Sequence, residues 1–280
     1  MFDPSLIDPD LIESVQEIAS HIDTYDDSST PFDDSTQPVS ETDNATIKSL
    51  CEEFLNKPIN NRLANNIKKV IIIARKLLPD NLNRPMRIPN KTLKEVIGGC
   101  EYLNDRISSQ YLAGILASSA TEVGRDNRGA NLARITTGLS SYQLRTHYLV
   151  YSTVSKLLSG HSSASVGWNA YRHNLKIFMP YPGYISAMGF FESEWKNIQI
   201  WEHIFFGLHS RSLIDTPWSY GSVGTAQGGI TCTPSAVGAE LFLWAFGISD
   251  KSIDYLLAED ATWVIEGIPS HVNGAVHVSS

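Results

Sequence analysis

The chain has 280 residues, 42% hydrophobic and 19% charged, which fits a globular protein with a substantial core in one or two domains. Its net charge of −8 is unevenly spread: residues 1–44 hold 12 Asp or Glu and no Lys or Arg, leaving 18 acids against 22 bases elsewhere. No window approaches the roughly 18 apolar residues of a membrane span, and the N-terminus lacks the basic and apolar regions of a signal peptide, so the expectation is a cytoplasmic protein.

Asp10-Leu11-Ile12-Glu13 has the form of a capping box, and Leu11, Val15 and Ile18 recur at helical spacing. A short acidic amphipathic helix is expected there. Residues 23–44 are acidic and rich in Ser, Thr and Pro, and bury too little apolar area to offset their ordering entropy. They read as a flexible linker.

A helix is expected from Ala45 to Asn56, and a clearer one from Asn61 to Leu78. In the second, Leu63, Ile67, Val70, Ile71, Ala74 and Leu78 share one face. Arg62, Lys68, Lys69, Arg75 and Lys76 occupy the other, with Ile72 among them, where a purely solvated surface would not want it. Three prolines make residues 79–90 a loop. Helices follow over Lys91 to Leu103, Arg106 to Ser119 and Asn131 to Gly138. Ser140-Ser141 caps the next helix, whose core face is Leu144, Tyr148, Tyr151, Val154 and Leu158, and Gly160 ends it.

The pattern changes near residue 161. Leu175–Met179 and Tyr184–Met188 read as strands joined by a Tyr181-Pro182-Gly183 turn, a hairpin. A Trp-rich helix spans about Trp195 to Leu208. Residues 213–233 read as strand and loop. Thr233 as N-cap and Pro234 at the first position start a helix that ends before Gly247. A short helix over Ser252 to Leu257 and closing strands at Thr262–Ile265 and Ala275–Val278 complete the pass. The expected fold is α+β and predominantly α. It comprises the acidic arm (1–44), a helical domain (45–160) and a smaller mixed part (161–280), the last two packed as one compact unit.

Three patterns between Lys91 and Ser152 carry a resemblance. They are the small-residue helix end Tyr111–Ser119, the charged link Glu122-Val123-Gly124-Arg125-Asp126-Asn127-Arg128-Gly129-Ala130, and Leu139–Tyr148. Thr233–Phe242 adds a helix entry. The segment resembles the Abi-alpha (abortive infection alpha-like) family of bacterial proteins over a quarter to a third of the chain. The resemblance implies a helical domain tied to antiphage defence and brings no catalytic residues with it.

The chemistry-bearing residues support little catalysis. Glu122 and Asp126 are four apart, but Gly124 and Gly129 favour a turn, so Glu122, Arg125, Asp126 and Arg128 read as a polar joint between helices. Arg145 and His147 diverge on one helix and read as a surface Arg and a half-buried His. His203 and His209 are six apart, poor spacing for two metal ligands on one helix face. The glycines at 221–229 fit no phosphate loop. Cys51, Cys100 and Cys232 read as buried free thiols. No cofactor or metal is expected.

From Lys57 to Lys94 there are ten Lys or Arg against one acid, Asp80. Residues Arg62, Lys68, Lys69, Ile72, Arg75 and Lys76 are therefore the candidate partner- or nucleic-acid-binding face. Leu11, Val15 and Ile18 are the candidate docking face of the arm, onto its own chain or a neighbouring subunit. The leading expectation is a non-catalytic antiphage component that oligomerises and binds a phage, host or defence-system macromolecule. The alternative is a nucleic-acid-binding protein inhibited by its own acidic arm. A third reading is an enzyme whose site forms between the two halves.

Overall fold

A computed structural model describes residues 61–78, 87–161, 164–221 and 228–278. The arm with Leu11, Val15 and Ile18, the helix expected over 45–56 and Cys51 all lie outside the described residues.

Helix α1 (Asn61–Leu77) buries Leu63, Ile67, Val70, Ile71 and Ala74 of the expected stripe, together with Ala64, while Leu78 lies just past its end and is half-buried. It packs on α3 (Arg106–Ser118), while α2 (Asn90–Cys100) packs on α4 (Arg128–Thr137). Asp105 caps α3 by accepting the Ser108 N–H at 2.7 Å. The long helix α5 (Ser141–Leu158) forms the spine of the fold, with Tyr148, Leu149, Val150 and Tyr151 fully buried. Ser140 and Gln143 form its capping box. Gly160, with φ of 74°, follows its end.

Beyond 161 the chain forms a short helix α6 (Asn169–Arg172), strand β1 (Ile177–Pro180) and helix α7 (Tyr181–Met188). The expected hairpin is therefore wrong in its second arm. Tyr181, Tyr184, Ala187 and Met188 are buried at spacings of three and four, a helical stripe within a short apolar run. Pro182 sits in the first helical turn, where its missing N–H costs nothing, and Gly189 ends the helix at φ of 65°. Strand β1 pairs instead with distant segments. Helices α8 (Glu192–Trp195) and α9 (Ile198–Ser210) lead to β2 (Ile214–Tyr220) and β3 (Gly229–Pro234). With β4 (Val276–His277) they form an antiparallel sheet in the order β2-β3-β1-β4, in which Ile177 faces both Cys232 and His277.

Helix α10 (Ala236–Ala245) starts two residues later than expected. Thr233 and Pro234 remain on β3, paired with Asp215 and Ile214, and the cap is Ser235, whose Oγ accepts the Gly238 N–H at 2.9 Å. The strand expected at Thr262–Ile265 is absent from the described residues. Its alternation arises because Trp263 and Ile265 anchor an irregular segment in the core: Trp263 donates to Ser155 Oγ at 2.7 Å, and Val264 faces outward. The 3₁₀ helix Ile253–Leu257 and its Ser252 cap match the expected short helix.

The fold is α+β and mostly helical, with buried residues of both halves forming one continuous cluster from Leu63 to Val272. Cys100 and Cys232 are buried free thiols, and burial pushes the Cys232 thiol up to about 12. Among the described residues no helix is long and apolar enough to cross a membrane.

Candidate functional site

The basic face on α1 is partly exposed and partly a contact surface. Arg62, Lys69 and Lys76 are exposed, whereas Lys68, Ile72 and Arg75 are half-buried. The exposed cations are seven residues apart, two turns each, and so form a stripe about 21 Å long. Arg62 reaches the Leu103 carbonyl at 3.5 Å, and none of Lys68, Lys69, Arg75 and Lys76 is without a partner.

The charged link closes on helix α10. Asp126 accepts the Arg128 backbone N–H at 3.0 Å and takes the guanidinium through both oxygens, at 2.6 Å for Nη2. Arg128 also reaches Glu240 at 3.4 Å and lies 5.0 Å over the ring of Trp244. The Arg128 hydrogen bond holds the Asp126 carboxyl below the usual carboxylate range. Asp126, not Asn127, supplies the cap-like bond; Asn127 occupies the cap position with no side-chain bond. Arg128 thus binds two carboxylates, one on each side of the joint. Glu122 and Arg125 are exposed.

Gly124 is a true turn residue, with φ of 66°. Gly129 is not: it lies inside α4, and a Cβ there would meet Ser119 Oγ at 2.0 Å. The link joins α4 to α10 through a contact between residues 112 apart in sequence. Replacing Arg128 by Ala should lower stability by about 1 kcal/mol, the sum of a solvent-exposed ion pair and a cation–π contact. Urea unfolding would show it as a lower midpoint at unchanged slope.

Two histidine assignments change. His147 is fully buried, not half-buried. It accepts or shares a proton with Tyr111 Oη at 2.7 Å through Nδ1, and contacts the Gly238 carbonyl at 3.1 Å through Nε2. The carbonyl can only accept, so Nε2 carries the hydrogen and Nδ1 accepts from Tyr111. Desolvation pushes the imidazole down to about 3, so it is neutral, and burial raises the Tyr111 phenol well above its ordinary value. Arg145 is half-buried rather than on the surface, and donates to the Ala187 carbonyl at 3.0 Å.

His203 is exposed on α9, with Nε2 2.8 Å from Ser140 Oγ across the seam between the halves. An open depression of about 540 Å³ lies there, walled by Leu139, Ser140, His203, Phe206 and Arg211 among others. A second, of about 550 Å³, adjoins it at Leu139 and Ser140 and extends toward Tyr102 and Asn104. The sequence marks Ser140 as a helix cap and His203 only as a poorly spaced metal-ligand candidate. Nothing local connects two residues 63 apart, so the pair was not legible.

Among the described residues, no group of three or more His, Cys, Asp or Glu is arranged to hold a metal ion. Of the glycines at 221–229, Gly224 lies outside the described residues. No family model matches the chain, and no curated protein or solved structure is similar to it.

Proposed function

We propose that this protein is a component of a bacterial antiphage, abortive-infection system whose defence role rests on self-association and on binding a macromolecule. The observation that carries the binding role is the outer face of α1. Its cations follow a two-turn repeat, and half-buried Ile72 sits among them with Lys68 and Arg75, the mixed apolar and charged character of a contact face. The link to phage defence rests on the resemblance of Lys91–Ser152 to Abi-alpha domains. The partner is a second copy of the chain, another defence-system protein, or both.

Charge asymmetry supports a second reading. An arm of 12 acids and no bases precedes a run of ten bases and one acid, the arrangement of a nucleic-acid-binding face with a built-in phosphate mimic.

Light scattering on the full chain and on a variant lacking residues 1–44 tests the first reading. An assembly whose size changes on truncation is expected; the same monomer in both samples refutes it. The second reading predicts that truncation unmasks nucleic-acid binding at low salt, and that Lys69→Glu with Lys76→Glu weakens it at least about tenfold. Truncated protein that binds neither single- nor double-stranded probes at low salt eliminates that reading.

A further inference from the structure

We propose that Ser140 and His203 form a nucleophile–base pair for acyl transfer from small, unhindered carboxylic esters. This inference goes beyond the binding role above and does not depend on it.

The pair is held in place by packing. Nε2 of His203 lies 2.8 Å from Ser140 Oγ, within reach for proton transfer. Oγ already accepts the Gln143 N–H at 3.3 Å, so its own hydrogen is available to Nε2. Buried Gln143 holds both partners: its Oε1 accepts the Ser140 N–H at 3.0 Å, and its Nε2 donates to the His203 carbonyl at 2.7 Å. Gly207, one turn beyond His203, makes room for that amide, which would lie 1.9 Å from a Cβ there.

The surroundings suit an ester. Phe206, 56% exposed, and Leu139 give the depression an apolar wall. Arg211 stands in the same depression, with Nη2 3.0 Å from the Gly138 carbonyl and Nη1 3.3 Å from that of Gly207, a positive charge fixed in place. The first intrahelical donor of α5 is Leu144, bonded to the Ser140 carbonyl at 2.9 Å. The N–H groups of Ser141 and Tyr142 thus have no acceptor inside the helix, and they sit at the helix end that carries Oγ. These donors and the Arg211 charge are the groups at hand to stabilise an oxyanion formed at Ser140.

In the first step the Oγ–H proton passes to Nε2 as Oγ bonds to the carbonyl carbon. The tetrahedral intermediate then collapses, the bond to the alcohol oxygen breaks, and Nε2–H protonates the departing alkoxide. Water attacks the acyl group in turn, giving its proton to Nε2. The C–Oγ bond breaks and Oγ recovers the proton. The products are a carboxylic acid and an alcohol.

The test uses the full-length protein with an alkyl fluorophosphonate and, separately, with p-nitrophenyl acetate. The expected result is one phosphonate adduct, located at Ser140 by peptide mass spectrometry, together with p-nitrophenol release. Ser140→Asn keeps a competent helix cap without the hydroxyl and should abolish both. His203→Gln should slow both by about 10²-fold or more, with an unchanged circular dichroism spectrum. Wild-type protein that gains no adduct, or gains it on another residue, overturns the proposal. So do variants that release p-nitrophenol at the wild-type rate.

Discussion

Acidification from pH 7 to about pH 4 should destabilise the wild-type fold markedly more than a His147→Gln variant. His147 is fully buried between Tyr111 and the Gly238 carbonyl, and desolvation lowers it from 6.5 to about 3. In the unfolded chain the imidazole regains its ordinary affinity for a proton. Between those two values the unfolded state binds the extra proton, so stability rises with pH across that window. The contribution is fully present above about 6.5 and is lost as pH falls toward 3. Its full size is on the order of 5 kcal/mol. A glutamine amide can accept from Tyr111 and donate to Gly238 but does not titrate. Carboxylates act alike in both proteins, so the difference in their urea midpoints between pH 7 and pH 4 isolates His147. Parallel pH profiles for the two proteins would refute the assignment.

Replacing Gly114 by Ala should lower stability by about 3 kcal/mol, a fall of roughly 6–12 °C in Tm for a chain of this size. On an isolated helix the same change would be favourable by up to about 1 kcal/mol. Packing reverses the sign. A Cβ at position 114 would lie 2.0 Å from the Ala245 carbonyl oxygen and 2.6 Å from its Cα, so the obstacle is backbone and no rotamer relieves it. Helix α10 is also tied down at that point. Gln110 Nε2 donates to the Ala245 carbonyl at 3.0 Å, and Ser118 Oγ to that of Trp244 at 3.1 Å. Ser249 Oγ returns to the Ser118 carbonyl at 2.9 Å. Thermal unfolding followed by circular dichroism checks this, and a Tm at or above wild type would mean that α3 and α10 are not in close contact.

The helices of the first half were legible because their signals are local. The stripe Leu63, Ile67, Val70, Ile71, Ala74 and the core face Leu144, Tyr148, Tyr151, Val154, Leu158 both lie where a period of 3.6 puts them. The capping box at Ser140 and Gln143 is written within four residues. The second half was harder. Tyr184–Met188 is five residues long, too short for periodicity to separate a strand from a buried helix turn. Trp263 and Ile265 alternate like a strand because the core accepts every other side chain, with no neighbouring strand required.

The candidate sites divide in the same way. The α1 cations were visible as a charged face, and the bonds within Asp126–Arg128 span two residues. The attachment of Arg128 to Glu240 spans 112 residues, and Ser140 meets His203 across 63. Sequence alone determined the helical stripes, the caps, the acidic arm against the basic body and the mostly helical class, because each follows from neighbours along the chain. Tertiary structure alone decided which helix needs Gly114, which histidine is buried neutral, and which serine a histidine touches. Those outcomes depend on how distant elements approach one another, and helical period and charge leave that approach open.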